Sequence, residues 1–410
     1  MFKKILALTL TVLMLTTLCV SFASCGGKKE AFEPVTKEDL KIGFIFLHDE
    51  NSTYDKNFID AANRMKTELG LRDDQVILKT NIPEDAKCYT TAKELAEAGC
   101  NVVFADSFSH EQFLLQAAEE FPSVRFCHAT GTMAHTEDRN NFSNAFASIY
   151  EGRYLAGVAA GMKLNEMIES GKITAEQAVI GYVGAYTYAE VVSGLTSFFL
   201  GARSVCPSAT MKVQFTGSWY DLALEREAAE TLDSQGCVLI SQHADSMGAP
   251  GYCEEHNIPN VSYNGSTVSA CPNTFIVSSA IDWTPYFKYI VDCTIKGDRI
   301  AADWTGTIQT GSVVLSDVNE NAAAAGTVAK LADVKAKLLS GETKVFDTST
   351  FKKGGETLTS YKADVDTDEK YTPDTEVISN GYFHESEYRS APYFDIQIDG
   401  ITYLNTNFGD

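Results

Sequence analysis

The sequence predicts an α/β chain folded into two doubly wound parallel-sheet lobes with a cleft between them. Three observations carry that prediction. From Lys41 onward, short apolar runs alternate with helical segments, the pattern of a parallel sheet covered on both faces. The same alternation restarts after residue 150. Finally, Leu95-x-x-x-Gly99-Cys100 is answered by Leu232-x-x-x-Gly236-Cys237, each followed by a strand-like run and a polar loop, a weak internal echo.

The elements follow in order. Ile42–Leu47 is an apolar run that reads as a buried strand, and a helix passes through Phe58–Met65. Thr91–Ala98 is helical and stopped by Gly99, after which Val102–Ala105 reads as a strand. Gln112–Glu120 is a helix ended by Pro122, and Val124–His128 a strand. In the second half, Tyr154–Met162 is helical, and its Gly157-x-x-x-Gly161 spacing predicts close helix packing. Strands are expected at Val179–Ala185, Met211–Thr216, Val238–Ser241, Val261–Tyr263 and Phe275–Ser279, with helices over Glu190–Ala202 and Glu225–Ser234. Open α/β sheets bind ligands beyond the carboxyl ends of their strands. The loops to search are therefore 48–57, 106–111, 186–190, 217–221, 242–248 and 263–267.

The first residues read as an export signal. Lys3 and Lys4 precede the charge-free run Ile5–Val20, which is short for a membrane span and is followed by small residues. Phe22-Ala23-Ser24-Cys25 resembles a bacterial lipobox, which implies a lipid on Cys25 and a tether to about residue 39. Loss of residues 1–24 takes away two lysines and no acid, so the net charge of −22 becomes −24. Such a surface argues against nucleic acid as a partner. Cys100 and Cys237, each after a glycine at a strand start, read as small core residues; the sequence leaves open whether any of the remaining cysteines pair.

The candidate loops are rich in aromatics, amides and carboxylates: His48, Tyr54, Phe108, Tyr186, Trp219, His243, Asp245, Asn264 and Trp283 all fall at or near strand ends. Aromatic faces suit a planar ring, and the polar groups suit its donors and hydroxyls. Catalytic signatures are missing: there is no Gly-x-Ser-x-Gly, no Walker loop and no His-Glu-x-x-His. Cys127-His128 falls in a buried strand and reads as structural, and Asp364-x-Asp366-x-Asp368 departs from a calcium loop at Glu369 and Thr375. No cofactor and no metal are expected.

Several blocks in fixed order carry a resemblance. They are Tyr150-Glu151-Gly152-Arg153-Tyr154-Leu155-Ala156-Gly157, Ile180–Ala185, Glu190-Val191-Val192-x-Gly194, Leu200–Val205, Gly217–Asp221, Gln242-His243-x-Asp245-Ser246 and Asp282-Trp283-x-Pro285-Tyr286. Over about residues 41–345 the chain resembles the basic membrane protein family of substrate-binding lipoproteins, which serve ABC transporters and commonly bind purine nucleosides or nucleobases. The resemblance implies a type I periplasmic-binding fold with three crossovers. It also implies lobe 1 at 40–150 plus about 277–305, and lobe 2 at 151–276 plus about 306–345. Residues 346–410 are left as a return segment or extension. It implies ligand contacts from Tyr54, Phe108, Tyr186, Trp219, Asp245, Asn264 and Trp283. Two departures stand out: the family's tryptophan near Tyr54 is absent, and Asn264-Gly265 stands where an aspartate is common. The implied partners are a purine-like small molecule, an ABC permease with its ATPase, and the membrane through the lipid on Cys25, with the protein itself a monomer. The rival readings are a surface hydrolase using Asp106 and Asp245, and a lipoprotein that senses the ligand rather than delivering it.

Overall fold

Two open sheets frame the protein, as seen in a computed structural model that describes residues 32–137, 139–365 and 372–406. The export signal, Cys25, and Asp366 and Asp368 lie outside the described residues. The first sheet contains β1 (Ile42–Ile45), β2 (Val76–Lys79), β3 (Val102–Ala105), β4 (Arg125–Ala129) and β5 (Phe142–Ala147). The second begins with β6 (Val179–Gly184), β7 (Thr210–Phe215), β8 (Leu239–His243), β9 (Asn260–Tyr263) and β10 (Phe275–Ile281). The chain then returns β11 (Asp303–Gly306) to the first sheet and β12 (Val313–Leu315) to the second. Both sheets run in the same spatial order, β2-β1-β3-β4-β5-β11 and β7-β6-β8-β9-β10-β12, so the halves share one winding. All pairs are parallel except β10 with β12. Ile42–Ile45 is buried along its whole length, as expected where helices cover both faces.

The helices α1 (Thr53–Leu69), α2 (Ala86–Glu97), α3 (Glu111–Glu120) and α4 (Met133–Glu137) belong to the first lobe. Ser52 caps α1 by accepting the Asp55 N–H, and Gly70 closes it with a left-handed φ of 61°. α5 (Ile149–Glu169) and α6 (Ala189–Val205) cross so tightly that side chains are excluded. A Cβ at Gly157 would run into the Phe198 carbonyl, one at Gly161 into the Ala202 carbonyl, and one at Gly201 into the Tyr154 carbonyl. The close packing expected from Gly157 and Gly161 is therefore backbone against backbone. α7 (Leu222–Ser234) and α8 (Gly248–His256) complete the second lobe's cover, while α9 (Thr284–Lys296) packs on α1.

The chain passes between lobes at Ser148, at Asp282–Trp283 and through residues 307–312. These passages are hydrogen-bonded to one another: the Ser148 N–H donates to Gly306 O and the Asp282 N–H to Ser312 O, both at 2.7 Å. Because β10 lies wholly in the second sheet, the second passage falls after Ile281 rather than at about 277. β2 and β5 are not among the strands expected from the sequence. β5 reads Phe-Ser-Asn-Ala-Phe-Ala, with Ser143 and Asn144 buried. Asn144 is satisfied there by the Ala134 N–H and by Glu111, partners that only the fold supplies.

Helix α10 (Thr327–Ser340) lies against α5, and four two-residue strands, β13 (Lys362–Ala363), β14 (Thr375–Glu376), β15 (Ile378–Ser379) and β16 (Tyr382–Phe383), pair as two small ribbons. The chain ends by adding β17 (Ile401–Tyr403) in parallel to β7, at the edge of the second sheet. Between these, residues 385–390 touch both lobes. The Ser390 N–H donates to Asp303 in β11 at 2.7 Å, and buried Glu385 sits beside the Ser193 hydroxyl of α6. All eight described cysteines are buried and free.

Candidate functional site

One narrow cavity lies where the two sheets' carboxyl ends face each other. Each wall is set by a strand end. Leu47 and His48 follow β1, Ser107 and Phe108 follow β3, and Thr130 follows β4. From the second lobe come Glu190 in the first turn of α6, Trp219 after β7, His243 and Asp245 at β8, and Tyr263 and Asn264 at β9. Tyr54 and Asp55, from the first turn of α1, complete the lining. Apart from Leu47 and Thr130, every one of these residues falls in a loop that the strand-end rule selected.

The cleft is closed. The Thr53 N–H and hydroxyl both donate to Asp245 O, at 3.0 and 3.2 Å, and the Asn57 amide reaches Asn264 Oδ1 at 3.3 Å. At the lip, the Phe108 ring stacks on Tyr188 of the opposite lobe with centroids 5.1 Å apart.

Of the seven residues expected to hold ligand, five line this cavity: Tyr54, Phe108, Trp219, Asp245 and Asn264. The Tyr54 hydroxyl donates to Asp106 O at 2.8 Å, and its ring meets Phe58 edge-on, so it is anchored from behind. Asn264 donates to Asp245 Oδ1 at 3.2 Å. Tyr186 stands outside, stacked on Tyr188 and edge-on to Trp219, and buttresses the wall rather than lining it. Trp283 is a correction. It is 1% exposed and stacks on Phe58 at 4.5 Å, because as the N-cap of α9 it turns into the first lobe's core. Asp106, half of the pair invoked for a hydrolase, is fully buried and does not line the cavity.

Glu190, His243, Tyr263 and Thr130 line the cavity and were not among the seven. His243 and Tyr263 had a legible signal, since each closes a strand at its carboxyl end; Thr130 had none. Among the described residues the Thr130 hydroxyl, the Tyr263 hydroxyl and both His243 nitrogens make no hydrogen bond of good geometry. Buried polar groups left so are costly, and all three residues line the cavity, with His243 Nδ1 turned against Gly194 of α6. Glu190 Oε1 lies 3.7 Å from His243 Nε2.

The electrostatics are one-sided. Asp55, Glu190 and Asp245 line the cavity, and no lysine or arginine does. Burial, reinforced by Glu225 and Asp55, holds the Asp245 carboxyl well above the usual carboxylate range. Burial pushes Glu225, which accepts the Ser246 N–H beneath Asp245, up to about 7. Burial also lowers His243, keeping its imidazole neutral near pH 7. Beneath the floor, fully buried Arg153 donates to the Tyr182 hydroxyl at 3.0 Å and to Ser241 Oγ at 2.9 Å, with its guanidinium 5.0 Å from the Tyr263 ring. That cation stiffens the floor without reaching the cavity. Cys127 and His128 are buried within β4, and no group of His, Cys, Asp and Glu suited to a metal occurs among the described residues.

Comparison with known proteins agrees with this architecture. Residues 41–349 match a family model described as ABC transporter substrate-binding protein, PnrA-like. A purine-binding protein of Brucella abortus is 32% identical over 318 residues, covering 76% of this chain and 84% of its own. A putative ABC transporter glucose-binding protein of Haloferax volcanii is 31% identical over 229 residues, covering 56% of this chain and 55% of its own. Among solved structures, an ABC transporter solute-binding protein of Aeropyrum pernix superposes with a TM-score of 0.63 at 15% identity, over 75% of this chain and 93% of its own.

Proposed function

The chain belongs to the PnrA-like family of ABC transporter substrate-binding proteins, and from that premise we propose that it captures a purine nucleoside or nucleobase between its lobes and delivers it to an ABC permease. The carrying observation is the lining of the cavity: Tyr54, Phe108, Trp219 and Tyr263 with Asp55, Glu190 and Asp245, and no cation. Aromatic faces take a flat ring, and the carboxylates and unpartnered hydroxyls take its N–H and O–H donors. The absence of lysine and arginine from the lining disfavours a phosphate or a carboxylate on the ligand. Burial of one ring there supports micromolar affinity, about −8 kcal/mol. The similarity to a purine-binding relative supports the same ligand class.

Calorimetric titration with adenosine, guanosine, adenine and glucose tests this. A hexose is the competing ligand, since aromatic faces and carboxylates also suit a sugar ring and one relative is named for glucose. Tightest binding of glucose, or no binding of any purine, refutes the proposal. Chromatography of adenosine after overnight incubation separates capture from hydrolysis: release of free adenine assigns the protein to the rival enzyme class.

Members of the family act outside the cytoplasm, and none of the described helices is long and apolar enough to cross a membrane. We propose that a lipid on Cys25 provides the attachment; the tether expected to reach about residue 39 ends by Phe32, whose ring lies under the Arg125 guanidinium at 4.0 Å, and the Val35 N–H donates to Thr294 O at 3.3 Å, so residues 32–39 are packed on the first lobe. A Cys25→Ser variant is then released from the membrane fraction, because one polar tether and an acidic domain offer no other hold. Its retention there counts against the anchor.

A further inference from the structure

Behind the Tyr54 wall, the carboxyls of Asp55 and Asp106 and the imidazole of His110 lie together, and two of their acceptor atoms, Asp106 Oδ2 and His110 Nδ1, have no donor. Asp106 is fully buried at the end of β3; its Oδ1 accepts the Leu47 N–H at 3.1 Å, and its Oδ2 has no partner with a hydrogen to give. Asp55, buried in the first turn of α1, already accepts the His48 N–H at 2.7 Å and the Ser52 hydroxyl at 2.5 Å. The Leu47 and His48 N–H groups that they accept are neighbours in the chain, so the two carboxyls lie together, and the Asp55 charge acts directly on Asp106. His110 lies on the far side, with Nδ1 3.8 Å from Asp106 Oδ1. Its Nε2 is 2.9 Å from Ile82 O, which requires the hydrogen on Nε2 and leaves Nδ1 bare. Two carboxylates and a bare imidazole nitrogen cannot face one another unless one proton is added.

We infer that Asp55 and Asp106 hold one proton between them at neutral pH, and that this proton positions the Leu47–Tyr54 stretch that walls the cavity.

The pair joins three parts of that wall. Asp106 takes the Leu47 N–H and, through its carbonyl, the Tyr54 hydroxyl; Asp55 takes the His48 N–H and the Ser52 side chain that caps α1. His48, Tyr54 and Asp55 themselves line the cavity. Asp106 acts through these groups and is a positioning residue. No lysine or arginine forms an ion pair with either carboxyl among the described residues. His48 Nδ1 stands 3.4 Å from Asp55 Oδ2. His110 and His128 are both pushed down to about 4 and stay neutral. Glu84 and Cys88 lie on the first-lobe side, while Glu190 and Asp245 face the pair from the second lobe. Burial and the Asp55 charge hold the Asp106 carboxyl well above the usual carboxylate range, whereas hydrogen bonds from His48 and Ser52 outweigh burial and hold Asp55 below it. The acid form therefore resides mainly on Asp106, and the pair titrates as a unit.

Carboxyl 13C resonances, identified by their loss in Asp55→Asn and Asp106→Asn, test the proton directly. The expected result is one acid and one ionised carbon at pH 7; two ionised carbons overturn the inference. The positioning half is read from amide exchange protection at Leu47 and His48, which needs no ligand. Asp106→Asn supplies an N–H where the acid O–H stood, so protection should stay at the wild-type level and no longer vary with pH. In the wild type, protection should fall at whatever pH the acid carbon ionises. Protection unchanged through that ionisation, or lost in Asp106→Asn, overturns it. Asp106→Ala should lose protection at every pH and weaken adenosine binding at least about tenfold; if it does not fold, the asparagine variant decides alone. Only the binding arm rests on the purine reading: a wild type that ignores adenosine refutes that reading, while the resonances and the exchange still decide this one.

Discussion

Glu385 lies beyond the family match, in the segment that touches both lobes, and its carboxyl gives a measurable handle on that segment. It is 1% exposed, its Oε1 accepts the Tyr393 N–H at 3.1 Å, and Arg389 stands nearby. Burial nevertheless pushes it from 4.5 up to about 8. Glu385→Gln keeps the shape and the acceptor but cannot ionise. Between the unfolded and folded values the native state holds one proton that the unfolded chain has released, so stability falls by about 1.4 kcal/mol per pH unit. The sign follows from a raised folded value: the contribution is whole below 4.5 and is lost as pH rises through about 8. From about pH 5 to about pH 8 the wild type should therefore lose about 4 kcal/mol relative to the glutamine variant. Relaxation of the segment makes that an upper bound. Urea unfolding of both proteins at three pH values in one mixed buffer reads the difference, since the other buried acids titrate alike in both. Parallel stability curves for the two proteins would refute the reasoning.

The helix crossing and the cavity walls give further expectations. Gly157→Ala drives a methyl into the Phe198 carbonyl between two buried helices and should cost about 3 kcal/mol in unfolding free energy; a wild-type melting point would show that the helices are not in backbone contact. Phe108→Ala, at the exposed lip, should weaken purine binding by roughly 1–3 kcal/mol with unfolding unchanged, by analogy with base stacking on aromatics. Trp283→Ala should do the reverse, lowering stability by about 3–5 kcal/mol through a core cavity, and a pure binding defect would return Trp283 to the site. Asp245→Asn, titrated with adenosine, should weaken binding at least about tenfold if its carboxylate pairs with a ligand donor; unchanged affinity would leave that carboxyl a role only in the closed cleft's own contacts.

Much of this protein is local and periodic, and that part was legible. Val102–Ala105 is a strand because four apolar residues, two of them β-branched and one aromatic, sit between a helix stop and a polar loop. Gly157 and Gly161 announced a close crossing because nothing larger than hydrogen fits between touching helices. Strand ends then named the loops around the cavity, since a parallel sheet with helical returns brings all its carboxyl ends to one side. β5 was hidden because its buried Ser143 and Asn144 depend on partners from other elements.

Which side chain enters the cavity was a different matter. Tyr263 and Trp283 are both aromatic and both follow the second sheet's strands, yet one forms the floor and the other fills a core. The difference lies in what each meets: Tyr263 rests on Arg153, while Trp283 meets Phe58, more than two hundred positions earlier in the chain. The Asp55–Asp106 pair is likewise invisible along the chain, being joined only when α1 and β3 meet. Sequence by itself determined most strands and helices of the two halves and the loops that surround the cavity. Tertiary structure decided the inward-facing residues and the charge they carry, because side-chain direction and desolvation are set by neighbours distant in sequence.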